Sequence, residues 1–447
     1  MRTKKAQSLS DHFSYKTLLR FVFPSVIMLV FTSIYGVVDG LFVSNFVGKT
    51  AFAAINFIMP LLIILGAVGF MLGTGGSAVV AKTMGAGNRE LANRYFSAIV
   101  LATVISGVIL SSLGVIFADR IASFLGADGE LLTSSTLYAR VILIALPAFM
   151  LQNVFQAFFI TAEKPRLGLV FTVIAGVSNM LLDLLFIVII PMGLLGAAIA
   201  TAISQCIGGF LPIIYFLSKK NDSALRLTAT SFYPLMLLRA SANGSSELLN
   251  NISMSLVTML YNDQLMKFAG EDGIASYGAI MYVAFIFASI FIGFSIGTAP
   301  IISYHFGAGN TDELKSLRKK CCAIITAGGA MMCIIATLMS GPLATVFVGY
   351  DEALCSLTEH GFYIFAVSFA FSGFNIFASS FFTALNDGAR SAFLSFARTI
   401  IFQCGSVTIM PLIFGFEGVW WSIVMADALA FATSFAMMLI ARKKYGY

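Results

Sequence analysis

Two carboxylates stand alone inside apolar runs: Asp39 in SIYGVVDGLFVSNFVG (33–48) and Asp183 in NMLLDLLFIVII (179–190). An aspartate at the centre of a membrane helix costs about 2.5–3.5 kcal/mol on insertion scales, so such a residue is read first as functional. Asn179 precedes Asp183 by four residues, which puts both side chains on one helix face. Thr201 follows in the next apolar run. Counted from the outer ends of their runs, Asp39, Asp183 and Thr201 all lie roughly 10–14 Å deep at 1.5 Å per residue. Two carboxylates, an amide and a hydroxyl at one depth offer hard oxygen donors for a small cation. Crowded acids also compete to stay ionised, which suits a proton carrier. Hydrogen-bonded structural acids are the alternative that these residues leave open.

Two further acids are embedded. Glu247 lies in NGSSELLNN (243–251), about 20 Å along its run and so near the midplane. Facing a cavity it would attract cationic substrates; facing a neighbouring helix it would simply pair. Asp427, in the last run, reads as structural. Gln152, Asn153 and Gln156 cluster in the fourth run, with Asn153 and Gln156 on one face. They would line a cavity beside Asp39 or bond adjacent helices. Pro24 is expected to interrupt the first run, and Gly36 and Gly40 flank Asp39, so this helix is expected to bend.

The elements that must hold these groups follow from composition. Of 447 residues, 59% are hydrophobic and 11% charged, with a mean hydropathy of +0.92. A soluble domain carries about 25% charge, so this is an integral membrane protein. Apolar stretches long enough to span fall near 18–43, 51–81, 93–117, 133–160, 167–190 and 192–217. Six more follow near 234–262, 274–304, 317–340, 356–385, 391–413 and 418–441. The fold class is therefore all-α and polytopic, with twelve transmembrane helices. The polar, basic N-terminal segment is followed by no small-residue cleavage site, so the first run is expected to be a retained span.

Of 27 Lys and Arg residues, only Lys49, Arg120, Arg140 and Lys267 fall in the odd-numbered loops; the other 23 fall at the termini and even-numbered loops. By the positive-inside rule both termini face the cytosol. This placement also explains the net charge of +6 without nucleic acid.

The chain repeats itself. MGAGN (84–88) recurs as FGAGN (306–310) at an offset of 222, and the same offset joins Gly48 to Gly270, Gly75 to Gly297, Gly193 to Gly415 and Gly196 to Gly418. Six spans separate the copies, so the repeats are parallel. The expected units are lobes over 1–217 and 234–447, joined by a cytosolic linker at 218–233. Transporters commonly bind between such repeats and rock one against the other. Across the offset Asp39 becomes Tyr261, Asn179 Ile401, Asp183 Gly405 and Thr201 Ile423. Cation chemistry is thus expected in the first half only.

The six cysteines show no C-x-x-C and no nearby His, so neither a disulfide framework nor a zinc site is expected. His12, His305 and His360 are scattered, and no H-E-x-x-H, G-x-S-x-G or Walker loop occurs. Enzymatic turnover and ATP hydrolysis have no residues to run on.

With PSVIMLVFTSIYGVVDGLFVSNFVG, GTGGSAVVAKTMGAGN and NMLLDLLFIVIIPMGLLGAAIATAIS in place, the chain resembles the multidrug and toxic compound extrusion (MATE) family over nearly its whole length. The resemblance implies two six-helix lobes and efflux of amphipathic, often cationic compounds in exchange for inward Na⁺ or H⁺. It further implies a cation site of Asp39, Asn179, Asp183 and Thr201, with the Ala197 carbonyl as a further ligand, and an acid at Glu247 in the substrate cavity. No cofactor is implied beyond the coupling ion, and a monomer in the plasma membrane is expected. The carboxylate that some sodium-driven members carry in span 10 is missing from SFAFSGFNIFASS. A flippase for a lipid-linked precursor is the alternative; it would need a basic cavity, and the spans hold almost no interior Arg or Lys.

Overall fold

The computed structural model describes residues 8–349 and 351–447. Arg2, Lys4 and Lys5, counted above in the basic N-terminal segment, lie outside them. The first half consists of α1 (Tyr15–Phe42), α2 (Lys49–Gly85), α3 (Arg89–Phe124), α4 (Gly129–Thr161), α5 (Pro165–Asp183) and α6 (Gly193–Leu217). π-Helical turns extend α1 (Val43–Val47) and α5 (Leu184–Ile189). In the second half α7 (Pro234–Gly307) is continuous in hydrogen bonding over 74 residues but breaks at Gly270, where φ is 59°. A left-handed φ is open to glycine, and the break makes two spanning arms.

α8 (Thr311–Leu338) is followed by the short α9 (Ser340–Val348), and α10 (Glu352–Ala366) meets α11 (Phe369–Ala384) at a 50° bend within one span. α12 (Gly388–Phe396), a π-helical turn (Ala397–Gln403) and α13 (Cys404–Phe414) make another, and α14 (Phe416–Tyr445) closes the chain. Counting each arm of α7 and each composite once gives twelve crossings among the described residues. Pro24 does not interrupt the first: α1 runs unbroken through it. The irregularity falls beyond Asp39, in the π-helical turn.

Local chemistry sets the helix ends. The GAGN turns place Gly87 and Gly309 at positive φ, and Asn88 and Asn310 then cap α3 and α8 through Oδ1, accepting from Leu91 N and Glu313 N. Gly193 and Gly415 share φ near 60° at equivalent corners.

The two halves meet backbone to backbone. A Cβ on Gly85 would strike the Tyr304 carbonyl, and one on Gly307 the Lys82 carbonyl. Lys82 and Tyr304 are themselves 222 residues apart, as are Gly85 and Gly307, so the interface has approximate two-fold symmetry. Small residues permit this approach where apolar burial gives no drive. All four lie at the face that carries both described chain ends, the basic face. There, Leu9, Phe13 and Phe21 join a core with Leu314, Phe381 and Tyr447. Toward the opposite face the cores separate: Val43, Ile55, Tyr138 and Ile187 pack within the first half, Ala279, Val348 and Leu354 within the second.

A strap over Ser8–Ser14 fastens the basic face. Ser8 Oγ and Leu9 N donate to Glu163 Oε1 at 2.7 and 2.8 Å in the first half. Phe13 N donates to Glu313 Oε1 at 3.0 Å, and His12 Nδ1 meets Glu313 Oε2 at 2.5 Å, in the second.

Candidate functional site

The structure brings the first-half residues together. Asp183 and Asn179 lie on the face of α5 turned to α1 and α6 and are almost fully buried. The Asp39 carboxyl faces that of Asp183 at close range. Thr201 stands on α6 one turn after the buried Ala197, and the Tyr138 hydroxyl of α4 points at it. Asp39 lies four residues before one π-helical turn and Asp183 immediately before another. Such turns recur at functional sites because the looser backbone re-aims neighbouring groups.

The polar atoms gathered here lack partners. One Asp39 oxygen, both Asp183 oxygens, the Asn179 amide nitrogen and the Thr201 hydroxyl are buried without a hydrogen bond. A buried unpaired polar atom costs about 1–3 kcal/mol, more when charged, and these five lie together inside the first half. Carboxylate, hydroxyl and carbonyl oxygens suit a small hard cation or a proton.

The second half holds a cavity of about 190 Å³ between the two arms of α7, the α10–α11 span, α12 with its π-helical turn, and α14. Glu247 lines it, as do Asn375, Arg398 and Asp427. Gln152, Asn153 and Gln156, expected to line a cavity beside Asp39 or to bond adjacent helices, do not line this one. All three are buried in the first half, where Gln152 and Gln156 border a small pocket with Phe155 and Phe159 and Gln152 contacts Tyr35. Their helix turns them inward, and the Asn153 amide nitrogen is buried without a hydrogen bond.

Sequence reasoning missed Tyr138, Asn375 and Arg398. Arg398 corrects the charge count, which placed it with the basic residues of the termini and even-numbered loops: it lies inside a span, ten residues past Gly388 and roughly 15 Å along its helix. Its Nε donates to Asp427 Oδ1 at 3.0 Å, so Asp427, read as structural, is the partner of a charge in a cavity. The signal was present as an arginine inside the apolar run SAFLSFARTIIFQ (391–403). Tyr138 had none, since tyrosines are common in such runs.

The comparisons agree with this architecture. The MatE family model matches residues 24–185 and 248–405, one segment in each half. The multidrug export protein MepA of Staphylococcus haemolyticus is 25% identical over 416 residues, covering 93% of this chain and 91% of its own length. MepA of Staphylococcus aureus strain MRSA252 is 23% identical over 432 residues, covering 96% and 94%. Among solved structures, a MATE crystallised in complex with MaL6 superposes with a TM-score of 0.92 at 23% identity over 99% of both chains. This chain belongs to the MatE family of multidrug-efflux transporters and is a multi-pass membrane transporter, not an enzyme.

Proposed function

We propose that the chain is a secondary antiporter that exports amphipathic, often cationic compounds in exchange for inward Na⁺ or H⁺, acting as a monomer in the plasma membrane with both termini cytosolic. The observation that carries this reading is the set of unpartnered buried oxygens on Asp39, Asp183 and Thr201, confined to the first half. Asp39, Asn179, Asp183, Thr201 and the Ala197 carbonyl take up the coupling ion, while Glu247 draws the cationic end of the substrate into the second-half cavity. No cofactor takes part beyond that ion.

Exchange requires that the two ligands prefer different states. The halves meet at the basic face and pack separately beyond it, which suits uptake of the ion from the opposite side. Filling the site neutralises the facing carboxylates, relieves their repulsion and lets α1 and α5 pack more closely. Rocking about the small-residue interface then exposes the cavity to the basic face. Drug uptake there competes with retention of the ion.

The test is dye efflux from proteoliposomes under separately imposed Na⁺ and H⁺ gradients, with wild type and Asp39→Asn. One gradient should drive the wild type, and the variant should not respond to it; that gradient names the ion. Equal transport by the variant would show Asp39 to be structural and sink the first-half site.

A further inference from the structure

The cavity of the second half is charged in an uncommon way. Arg398 spends only its Nε on Asp427, at 3.0 Å, and among the described residues its two terminal amino groups make no hydrogen bond. Asp427 is almost fully buried, and the Asn375 amide nitrogen approaches it at 3.5 Å. The guanidinium is therefore gripped from its Nε edge while its far edge, still partly exposed, borders the cavity. Asn375, only 3% exposed, leaves its own Oδ1 unpartnered there. Glu247 borders the same space, and its carboxylate too has no hydrogen bond among the described residues.

A buried ion pair costs more in desolvation than it returns unless its remaining donors are used. Here they are not used by the protein. Glu247 and Arg398 lie at similar depths, about 20 and 15 Å along helices that start at one face. Arg398 also occupies the chain's remaining described π-helical turn, Ala397–Gln403; the other two adjoin Asp39 and Asp183. All three turns thus adjoin an embedded charge. Across the repeat Glu247 becomes Ser25, Arg398 Gly176 and Asp427 Gln205. This set of charges has no counterpart in the first half and belongs to the second alone.

We infer that Arg398 is an anion anchor, and that the cavity takes amphipathic zwitterions, whose carboxylate meets the free amino edge of Arg398 while their protonated amine meets Glu247. The planar guanidinium offers two parallel N–H donors to a carboxylate, a match that a lone ammonium lacks. Asn375 Oδ1 accepts from any N–H or O–H between the two charged ends. The walls between them, with Tyr277, Met281 and Phe369, suit an aromatic body. The inference rests on the export reading and narrows it, since a plain cation would leave Arg398 with unused donors.

The probes are a zwitterionic rhodamine with a free carboxylate and its methyl ester, a plain cation of nearly the same shape. Their affinities are measured by fluorescence polarisation on the purified full chain. Wild type should bind the zwitterion about tenfold more tightly than the ester, the scale of one charge-assisted bidentate contact. The double variant Arg398→Gln/Asp427→Asn removes both partners and leaves no unpaired buried charge, and in it the ratio should collapse toward one. Arg398→Lys, which keeps the charge without the fork, should give an intermediate ratio. Equal affinity of wild type for the two dyes, or an unchanged ratio in the double variant, overturns the anchor and leaves the export reading standing. Failure of wild type to bind either dye overturns both.

Discussion

Gly307 lies against the backbone carbonyl of Lys82, and the image of that contact under the 222-residue repeat is Gly85 against the carbonyl of Tyr304. At these two points on the basic face the halves therefore touch with no side chain between them. A leucine at Gly307 has nowhere to go, because the obstacle is backbone and cannot rotate away. Gly307→Leu should wedge the basic face open and slow transport at least about tenfold. In a background with the native cysteines replaced, Ala78→Cys, buried beside this interface, should react with a membrane-impermeant maleimide faster when Gly307→Leu is present. Unchanged labelling and transport would mean that the face tolerates the added bulk.

Asn179 permits a separation of stability from function. Its amide nitrogen is buried and unbonded, so Asn179→Leu removes an unsatisfied group and substitutes a similar volume. Stability should hold or rise by about 1 kcal/mol, while ion-driven efflux falls. Thermal unfolding in detergent and proteoliposome transport read the two effects independently; a loss of both would make Asn179 a packing residue.

The strap from Ser8 to Ser14 bridges Glu163 in one half and Glu313 in the other, with Phe13 fully buried. Phe13→Ala should loosen it by about 3 kcal/mol, read as a rise of roughly 100-fold in amide exchange over residues 9–14 with the spans still protected. Glu313→Gln should give a smaller rise, since the acceptor for Phe13 N survives but the charge opposite His12 does not.

Asp387, in the turn between α11 and α12, accepts from the Tyr445 hydroxyl and from Arg390, with Lys444 at 3.8 Å. Burial pushes its carboxyl up, but the hydrogen bonds from Tyr445 and Arg390 outweigh this and hold it below the usual carboxylate range. A carboxyl lowered on folding stabilises the fold above its unfolded value, near 3.9, and loses that contribution as pH falls through the folded value. Asp387→Asn should therefore lower stability at pH 7 by about 1 kcal/mol, read as a lower melting temperature. The gap to wild type should close as pH drops below about 4. A gap independent of pH would show that charge is not what Asp387 contributes.

Much of this was legible in the chain. Hydropathy over stretches of twenty residues gives the number of crossings because hydrocarbon admits few other backbones, and the paired GAGN turns give the parallel repeat. Asp39 and Asp183 stood out because a charge in an apolar run is costly wherever the helix is later placed. The helix irregularities were not legible. Pro24 leaves α1 unbroken, while the irregular turns fall beside Asp39, Asp183 and Arg398, where no single residue type announces them.

Depth along a helix is readable from residue counts, but the direction a side chain faces depends on which neighbour covers it. That is why Gln152, Asn153 and Gln156 proved to be buried in the first half and Asp427 proved to hold Arg398. The sequence by itself determined a membrane protein of twelve spans, a parallel repeat and an acid-bearing first half, since transfer free energy and local periodicity are properties of segments. Only the tertiary structure decided that Asp39 faces Asp183, that the halves meet backbone to backbone from the basic face inward, and that an arginine borders the second cavity. These depend on contacts between residues tens to hundreds of positions apart, which packing selects and no segment encodes alone.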